Sequence, residues 1–259
     1  MDNNIEFFLG KEYDESFFNS ADLLQRELNQ KGILVFSDFI NKTGLKKMTL
    51  EAEQLKDQSY ASTSEYNVYV QPSDPRFGEN SARNRIMKTT KKCIPNDLIA
   101  SDSPLIKVYN DPKIKAFFAT LFGVPKLYPY ADLLSSVNIN YYDPGDALGW
   151  HFDNSDFTIT LLIKNCIEGG DYQYFTDMRY NKDGSENYAL VESILDQKLK
   201  PETQSTKAGD LMVFRGNKSL HQVTKVCNGE RVLVTFNYNT QKGIPLSEAS
   251  RRTFFGRIA

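Results

Sequence analysis

The chain has 259 residues, 40% hydrophobic and 25% charged, the balance of a soluble globular protein with enough apolar surface to bury a core. A formal net charge of -2 argues against a general binder of nucleic acid or anionic membranes, so Lys91-Lys92 and Arg251-Arg252 read as solvated surface. Cys93, Cys166 and Cys227 are odd in number and lack metal-type spacing, which fits a reducing compartment. With no signal-like start and no apolar run of membrane-spanning length, the expected setting is cytoplasmic.

In chain order, Leu23, Leu24 and Leu28 recur at helical spacing from Ser20 to Gln30, with Ser20 as N-cap and Gly32 as the stop. Ile33 to Phe36 reads as a short buried strand. Lys42 to Leu55 reads as a second helix offering Leu45, Met48, Leu50 and Leu55 for burial. Residues 59–85, rich in Ser, Tyr, Asn and Pro, read as one long loop, a length that in compact domains marks function or disorder. Asp111 to Phe122 predicts a third helix, capped by Asp111, with Pro112 in the first turn and Gly123 ending it. Residues 1–125 therefore read as mainly helical, with one or two strands.

From about residue 126 the pattern turns to strands. Val137–Tyr142, Phe157–Ile163, Tyr172–Phe175, Leu211–Phe214, Gln222–Val226 and Val232–Tyr238 carry β-branched and aromatic residues between turn signals. Asn228-Gly229, between Val226 and Val232, predicts a hairpin. Short strands punctuated this way suggest a barrel or sandwich. Residues 177–206 are polar, with a weakly amphipathic piece from Leu190 to Leu199, and read as an insertion that could serve as a flap. No linker divides the chain, so it reads as one domain: 1–125 mainly helical, 126–242 a β core, 243–259 a tail.

The chain has only two histidines. His151 closes the stretch YDPGDALGWHFD with Asp153 two residues on, and His221 is followed ten positions later by Arg231. Two neutral imidazoles and one carboxylate are the facial triad that holds non-haem Fe(II) with open positions. Alone, a His-x-Asp pair is as readily a core histidine beside a turn carboxylate. Three features favour the metal. Residues i and i+2 of a strand end share a face, so His151 and Asp153 can reach one ion. His221 lies near the start of a later strand that antiparallel pairing would bring to the same point. Arg231 opens an apolar strand, and a buried guanidinium there would need an anionic partner, such as a carboxylate held by two parallel hydrogen bonds.

YYDPGDALGWHFD, Gly169-Gly170-Asp171, KAGDLMVF and LHQVTKVCNGERVLVTFNYN together resemble the Fe(II)/2-oxoglutarate-dependent dioxygenases, especially the prolyl 4-hydroxylase-like group, over residues 126–242. The resemblance implies a mainly β fold with α, a double-stranded β-helix (jelly-roll) core under an N-terminal helical layer. It implies Fe(II) on His151, Asp153 and His221, with Arg231 and Tyr142 holding the distal carboxylate of 2-oxoglutarate. Many relatives carry Ser or Thr where this chain has Leu233, which leaves the clamp to Arg231, Tyr142 and a further polar residue. The implied reaction consumes O2 and 2-oxoglutarate, releases succinate and CO2, and hydroxylates a substrate C–H. Radical halogenases of this superfamily replace the carboxylate ligand with Gly or Ala, so Asp153 implies hydroxylation.

The layout, the Ala82-Arg83-Asn84-Arg85 segment and Asn237-Tyr238-Asn239 more loosely resemble the free-amino-acid (lysine-type) hydroxylases and halogenases. That implies Arg83 or Arg85 on the substrate carboxylate, Asn154 and Asn237 near the α-carbon, and Asp132 on a side-chain amine. In an extended segment Arg83 and Arg85 share a face, so spacing does not choose between them, and surface charge is an equal alternative for both. Trp150, by alternation, should point away from the metal and pack. The expected partner is a small molecule, a free polar amino acid with lysine first, and a homodimer is compatible with the sequence. The alternatives are a hydroxylase of protein-bound residues and a metal-binding jelly roll without turnover.

Overall fold

A computed structural model describes residues 5–259; residues 1–4, part of the start read above for a signal, lie outside the described residues. The first half runs α1 (Glu15–Phe18), α2 (Ala21–Lys31), β1 (Ile33–Phe36), α3 (Lys42–Leu55), β2 (Tyr60–Asn67), β3 (Ile86–Ile94), α4 (Pro104–Asn110) and α5 (Pro112–Phe122). The second half begins with β4 (Tyr128–Pro129), β5 (Val137–Tyr142), β6 (Leu148–His151), β7 (Thr158–Lys164), β8 (Glu168–Gly169) and β9 (Tyr172–Phe175). It continues with α6 (Tyr188–Leu195), β10 (Glu202–Gln204), β11 (Leu211–Phe214), β12 (Leu220–Val223), β13 (Val226–Asn228), β14 (Arg231–Phe236), β15 (Tyr238–Asn239) and α7 (Glu248–Phe255).

A seven-stranded sheet in the order β1-β11-β7-β14-β5-β3-β2 faces a four-stranded sheet in the order β10-β9-β12-β6, the two walls of a jelly roll. Period-two alternation sorts the large sheet into two faces. Val137, Ile139 and Tyr141 of β5, Ile159, Leu161 and Ile163 of β7, and Val232, Val234 and Phe236 of β14 join the helices in the main core. Each such side chain contributes about 1.5–3 kcal/mol by leaving water. The intervening residues turn inward: Arg231 opposite Tyr142, Leu233 opposite Asn140 and Thr235 opposite Asn138. Thus one face fastens the helical layer and the other lines the interior with polar groups.

The sheets meet where β3 approaches β6. Thr90 bridges Ala147, and the Gly149 N–H donates to Thr89 Oγ1 at 3.0 Å. A Cβ at Gly149 would stand 2.8 Å from the Lys88 carbonyl oxygen, so only glycine lets these backbones approach this closely.

Several expectations are corrected. Within residues 59–85, Tyr60–Asn67 is a strand, and with β3 it extends the large sheet, so the first half supplies three of its seven strands. Ser and Tyr, read as loop composition, stand there at alternate positions of the strand. Asn228-Gly229 makes no hairpin: β13 pairs with β8, while β14 pairs with β5 and β7. Gly229 (φ 78) packs against Ile167, where a Cβ would meet its backbone nitrogen at 2.8 Å, so the turn redirects the chain between sheets. Leu50 is exposed, and Met48 alone of the four helix residues named is fully buried. Ser20 sits at the N-cap position but its hydroxyl donates back to Phe17. The segment 243–259 contains α7, whose Phe255 packs with Cys93 and Leu134.

The insertion 177–206 contains α6 and β10. Val191 and Ile194 of α6 join Val68, Tyr69, Ala82, Phe152, Phe175 and Leu220 in a second apolar cluster, on the outer face of the small sheet. Trp150 packs against that cluster, 5.6 Å from the Phe175 ring, as alternation predicts.

Candidate active site

The small sheet brings the two histidines together by register. His151 of β6 and His221 of β12 are direct antiparallel partners, with ring centroids 4.2 Å apart. Asp153 turns to the same side, while Phe152 between them enters the outer cluster. Asp153 Oδ1 lies 3.3 Å from His151 Nε2 and 3.6 Å from His221 Nε2. Among the described residues these three form the one metal-capable group, with ligand atoms within 4.8 Å of one another.

The remaining ring nitrogens fix the tautomers. His151 Nδ1 lies 2.8 Å from the Gly149 carbonyl and His221 Nδ1 2.9 Å from the Ser219 carbonyl. A carbonyl can only accept, so each Nδ1 carries a proton and each ring turns its Nε2 to the shared point. Burial, aided by His151, pushes the His221 pKa down to about 4. Burial alone would raise the Asp153 carboxyl, but His221, His151 and the Thr158 hydroxyl outweigh it and keep the group ionised well below the usual range. Thr158 Oγ1 donates to Oδ2 at 2.5 Å. His151 Nε2, His221 Nε2 and Asp153 Oδ1 thus converge on one point that a cation could occupy. The donor set is that of a divalent transition metal.

Arg231 opens β14, 4% exposed, its guanidinium 5.6 Å from the ring centre of its cross-strand partner Tyr142. Burial pulls its pKa down. Its Nη1 is buried without a hydrogen-bond partner among the described residues. It lines a cavity of about 220 Å³ with Leu162, Cys166, Gly170, Asp171 and Tyr172. A Cβ at Gly170 (φ 68) would stand 3.1 Å from Arg231 Cδ, so the Gly169-Gly170 turn makes room for the arginine stem. Leaving a buried guanidinium N–H unpaired is costly, and a small carboxylate in this cavity would satisfy it.

Two residues of this region escaped the sequence reading. Tyr172 lines the same cavity, its ring 5.7 Å from His221 and its hydroxyl buried without a partner. The tyrosine lay inside a predicted strand, and only the three-dimensional placement makes it informative. Tyr66, hidden in the supposed loop, stands 6.0 Å from His151, ring to ring, and shares a hydrogen bond with Thr89.

The proposed substrate residues separate. Arg85 pairs with Asp196 of the insertion at 2.8 Å and donates to the Asn80 carbonyl. Arg83 has a buried Nη1 with no partner among the described residues, near Tyr69, whose hydroxyl is likewise unpaired. Asn154 follows Asp153 and is exposed. Asp132 is held in its turn: Oδ1 accepts from Leu134 N and Ser135 Oγ, and Oδ2 from Leu246 N. Asn237 is likewise absorbed, donating to the Ser135 carbonyl and Asn138 Oδ1.

Solved structures that resemble the chain share its jelly-roll fold. A prolyl hydroxylase from Trichoplax adhaerens, in complex with a hypoxia inducible factor peptide fragment, aligns with a TM-score of 0.58 at 11% identity, covering 92% of this chain and 96% of that one. The epimerase SnoN, in complex with Fe3+, alpha ketoglutarate and nogalamycin RO, gives 0.57 at 13% identity, covering 88% and 96%. An oxidoreductase of the 2OG-Fe(II) oxygenase family from Burkholderia pseudomallei gives 0.53 at 13%, covering 86% and 92%. No curated protein matches the chain in sequence. The Halogenase D family (HalD) matches residues 18–254, and the chain belongs to it.

Proposed function

We propose that this protein is an Fe(II)- and 2-oxoglutarate-dependent oxygenase that hydroxylates an unactivated C–H bond of a small, carboxylate-bearing molecule, a free polar amino acid with lysine the first candidate. The observation that carries the reading is the convergence of His151 Nε2, His221 Nε2 and Asp153 Oδ1, together with a cavity lined by Arg231, whose Nη1 is buried and unpaired, and by Tyr172, 5.7 Å from the His221 ring. Bound Fe(II) with 2-oxoglutarate and O2 supplies the oxidising power, the co-substrate leaving as succinate and CO2.

The chain's own residues bind and orient. His151, His221 and Asp153 hold the metal, with both imidazoles locked through Nδ1. Arg231 and Tyr142 take the far carboxylate of 2-oxoglutarate, with the Tyr172 hydroxyl available as a further donor. Arg83 takes the substrate carboxylate, because Arg85 is already neutralised by Asp196. Asp132 accepts from Leu134 N and Leu246 N and Asn237 Nδ2 donates to the Ser135 carbonyl, so a substrate role for either would use the carboxylate's remaining lone pairs or the Asn237 Oδ1.

The name of the Halogenase D family favours a second reading, halogenation. Against it, Asp153 supplies a third protein ligand where a halide would otherwise bind. The deciding experiment measures succinate formation with Fe(II) across free amino acids and then peptides, with and without chloride, and identifies the product by mass. Hydroxylated free amino acid is expected. A chlorinated product supports the family name instead. Stimulation by peptides alone overturns the free-amino-acid reading, and no turnover despite bound iron leaves a binding protein.

A further inference from the structure

Gly216 lies in the turn between β11 and β12, buried and opposite Asp153. Its φ is outside the left-handed region, so no backbone conformation demands glycine there. What demands it is space. A Cβ at 216 would stand 2.8 Å from Asp153 Cβ and 2.6 Å from its Cγ, and closer still to Oδ2. Turning the Asp153 side chain would move the carboxylate but not Cβ, which is fixed to the backbone. The backbones cannot simply separate either, because Asp153 N–H donates to the Gly216 carbonyl at 3.0 Å.

We propose that Gly216 is a positioning residue for the Asp153 ligand: the missing side chain is the space in which the carboxylate stands. Thr158 completes the arrangement. Its hydroxyl holds Oδ2 and leaves Oδ1 facing His151 and His221. The third ligand is therefore set from two sides, by a hydrogen bond and by an absence. Within the proposed reaction, residue 216 helps determine whether this chain can present a protein carboxylate to the metal at all. This inference rests on the metal-binding reading, although the contact between residues 153 and 216 does not.

The test is a double-mutant cycle of Gly216→Ala and Asp153→Gly, read by cobalt(II) affinity and by the thermal midpoint of the metal-free protein. Gly216→Ala alone should weaken cobalt(II) binding about 10- to 100-fold, the usual cost of disturbing a group that orients a ligand, and should change the visible spectrum of any bound cobalt. It should also lower the metal-free midpoint. In the Asp153→Gly background the same alanine meets no Cβ and should leave the midpoint and the residual affinity unchanged. If Gly216→Ala alone does not fold but the double variant does, the steric account stands. Cobalt(II) affinity within about twofold of the parent for Gly216→Ala overturns the proposal, as does a midpoint loss that persists in the Asp153→Gly background. If the parent itself binds no cobalt(II), the metal-binding reading fails, and the midpoint cycle still reports on the contact separately.

Discussion

Arg231 and the arginines of residues 83–85 were assigned the same task, gripping a carboxylate, yet the molecule treats them differently. Arg231 is fixed by sheet register: it is the direct partner of Tyr142, buried, with an orphan Nη1, and it lines a cavity. Arg83 and Arg85 lie on a loop held by the insertion, and one of the two is already satisfied by Asp196. At the head of β14 Arg231 is enclosed by packing, so its unpaired N–H cannot turn to water and bears the cost of burial. Of the loop arginines, Arg85 finds a carboxylate in Asp196, while Arg83 keeps a buried Nη1 without a partner. An unsatisfied buried cation is therefore stronger evidence of a ligand than a cationic motif.

The comparison is broken most severely at the triad on which both arginines depend. His221→Ala should abolish stoichiometric Fe(II) binding and succinate formation, measured by metal analysis and turnover. Retained iron and normal activity would remove the basis for assigning either arginine a substrate. Arg231→Met should raise the 2-oxoglutarate KM by about 30- to 1,000-fold, the 2–4 kcal/mol typical of truncating one side of a buried charge pair. An unchanged KM would show that the co-substrate binds elsewhere.

The buried region should also differ from the loop in its pH response. His221 has a folded pKa pushed down to about 4 from 6.5, so the unfolded chain takes up its proton first as pH falls. Stability of the metal-free protein is then fully present above about pH 6.5 and declines toward pH 4, by on the order of 3 kcal/mol. Asp153, with its folded pKa depressed, adds its loss only below the ordinary carboxylate range. Urea unfolding at a series of pH values checks this, and a flat profile across that window would mean that His221 is not buried as a neutral base.

The smallest effects separate the two loop arginines. Arg83→Met should raise the amino-acid KM about 10-fold or more, the scale of a lost hydrogen bond to a charged group, with the 2-oxoglutarate KM unmoved. Arg85→Met removes a half-exposed ion pair and should change neither constant appreciably. A reversal, with Arg85 the sensitive position, would mean that the contact with Asp196 opens when substrate binds.

Much of the fold was legible wherever a local rule is strong. The helix Lys42–Leu55 and the helix capped by Asp111 and ended by Gly123 follow from apolar periodicity and end signals, and β5, β7, β9 and β11 follow from runs of β-branched, aromatic and other apolar residues. Tyr60–Asn67 was missed because a strand lining a polar barrel interior carries Ser, Thr and Tyr, the same residues that fill loops. The Asn228-Gly229 turn was recognised as a turn, but a turn signal cannot say which strand lies next to which.

The site divides along the same line. Sequence alone determined the donor types: two histidines, one aspartate two residues from the first, and an arginine at the head of an apolar strand, because spacing and strand alternation are local properties. Only the tertiary structure decided which groups have partners. It paired His151 with His221 by register, left Arg231 and Arg83 unsatisfied, gave Arg85 to Asp196, and spent Asp132 and Asn237 on holding turns and strands. It also placed Gly216 against Asp153. Whether a polar group is spoken for depends on chain segments far away in sequence, brought near only when the two sheets close.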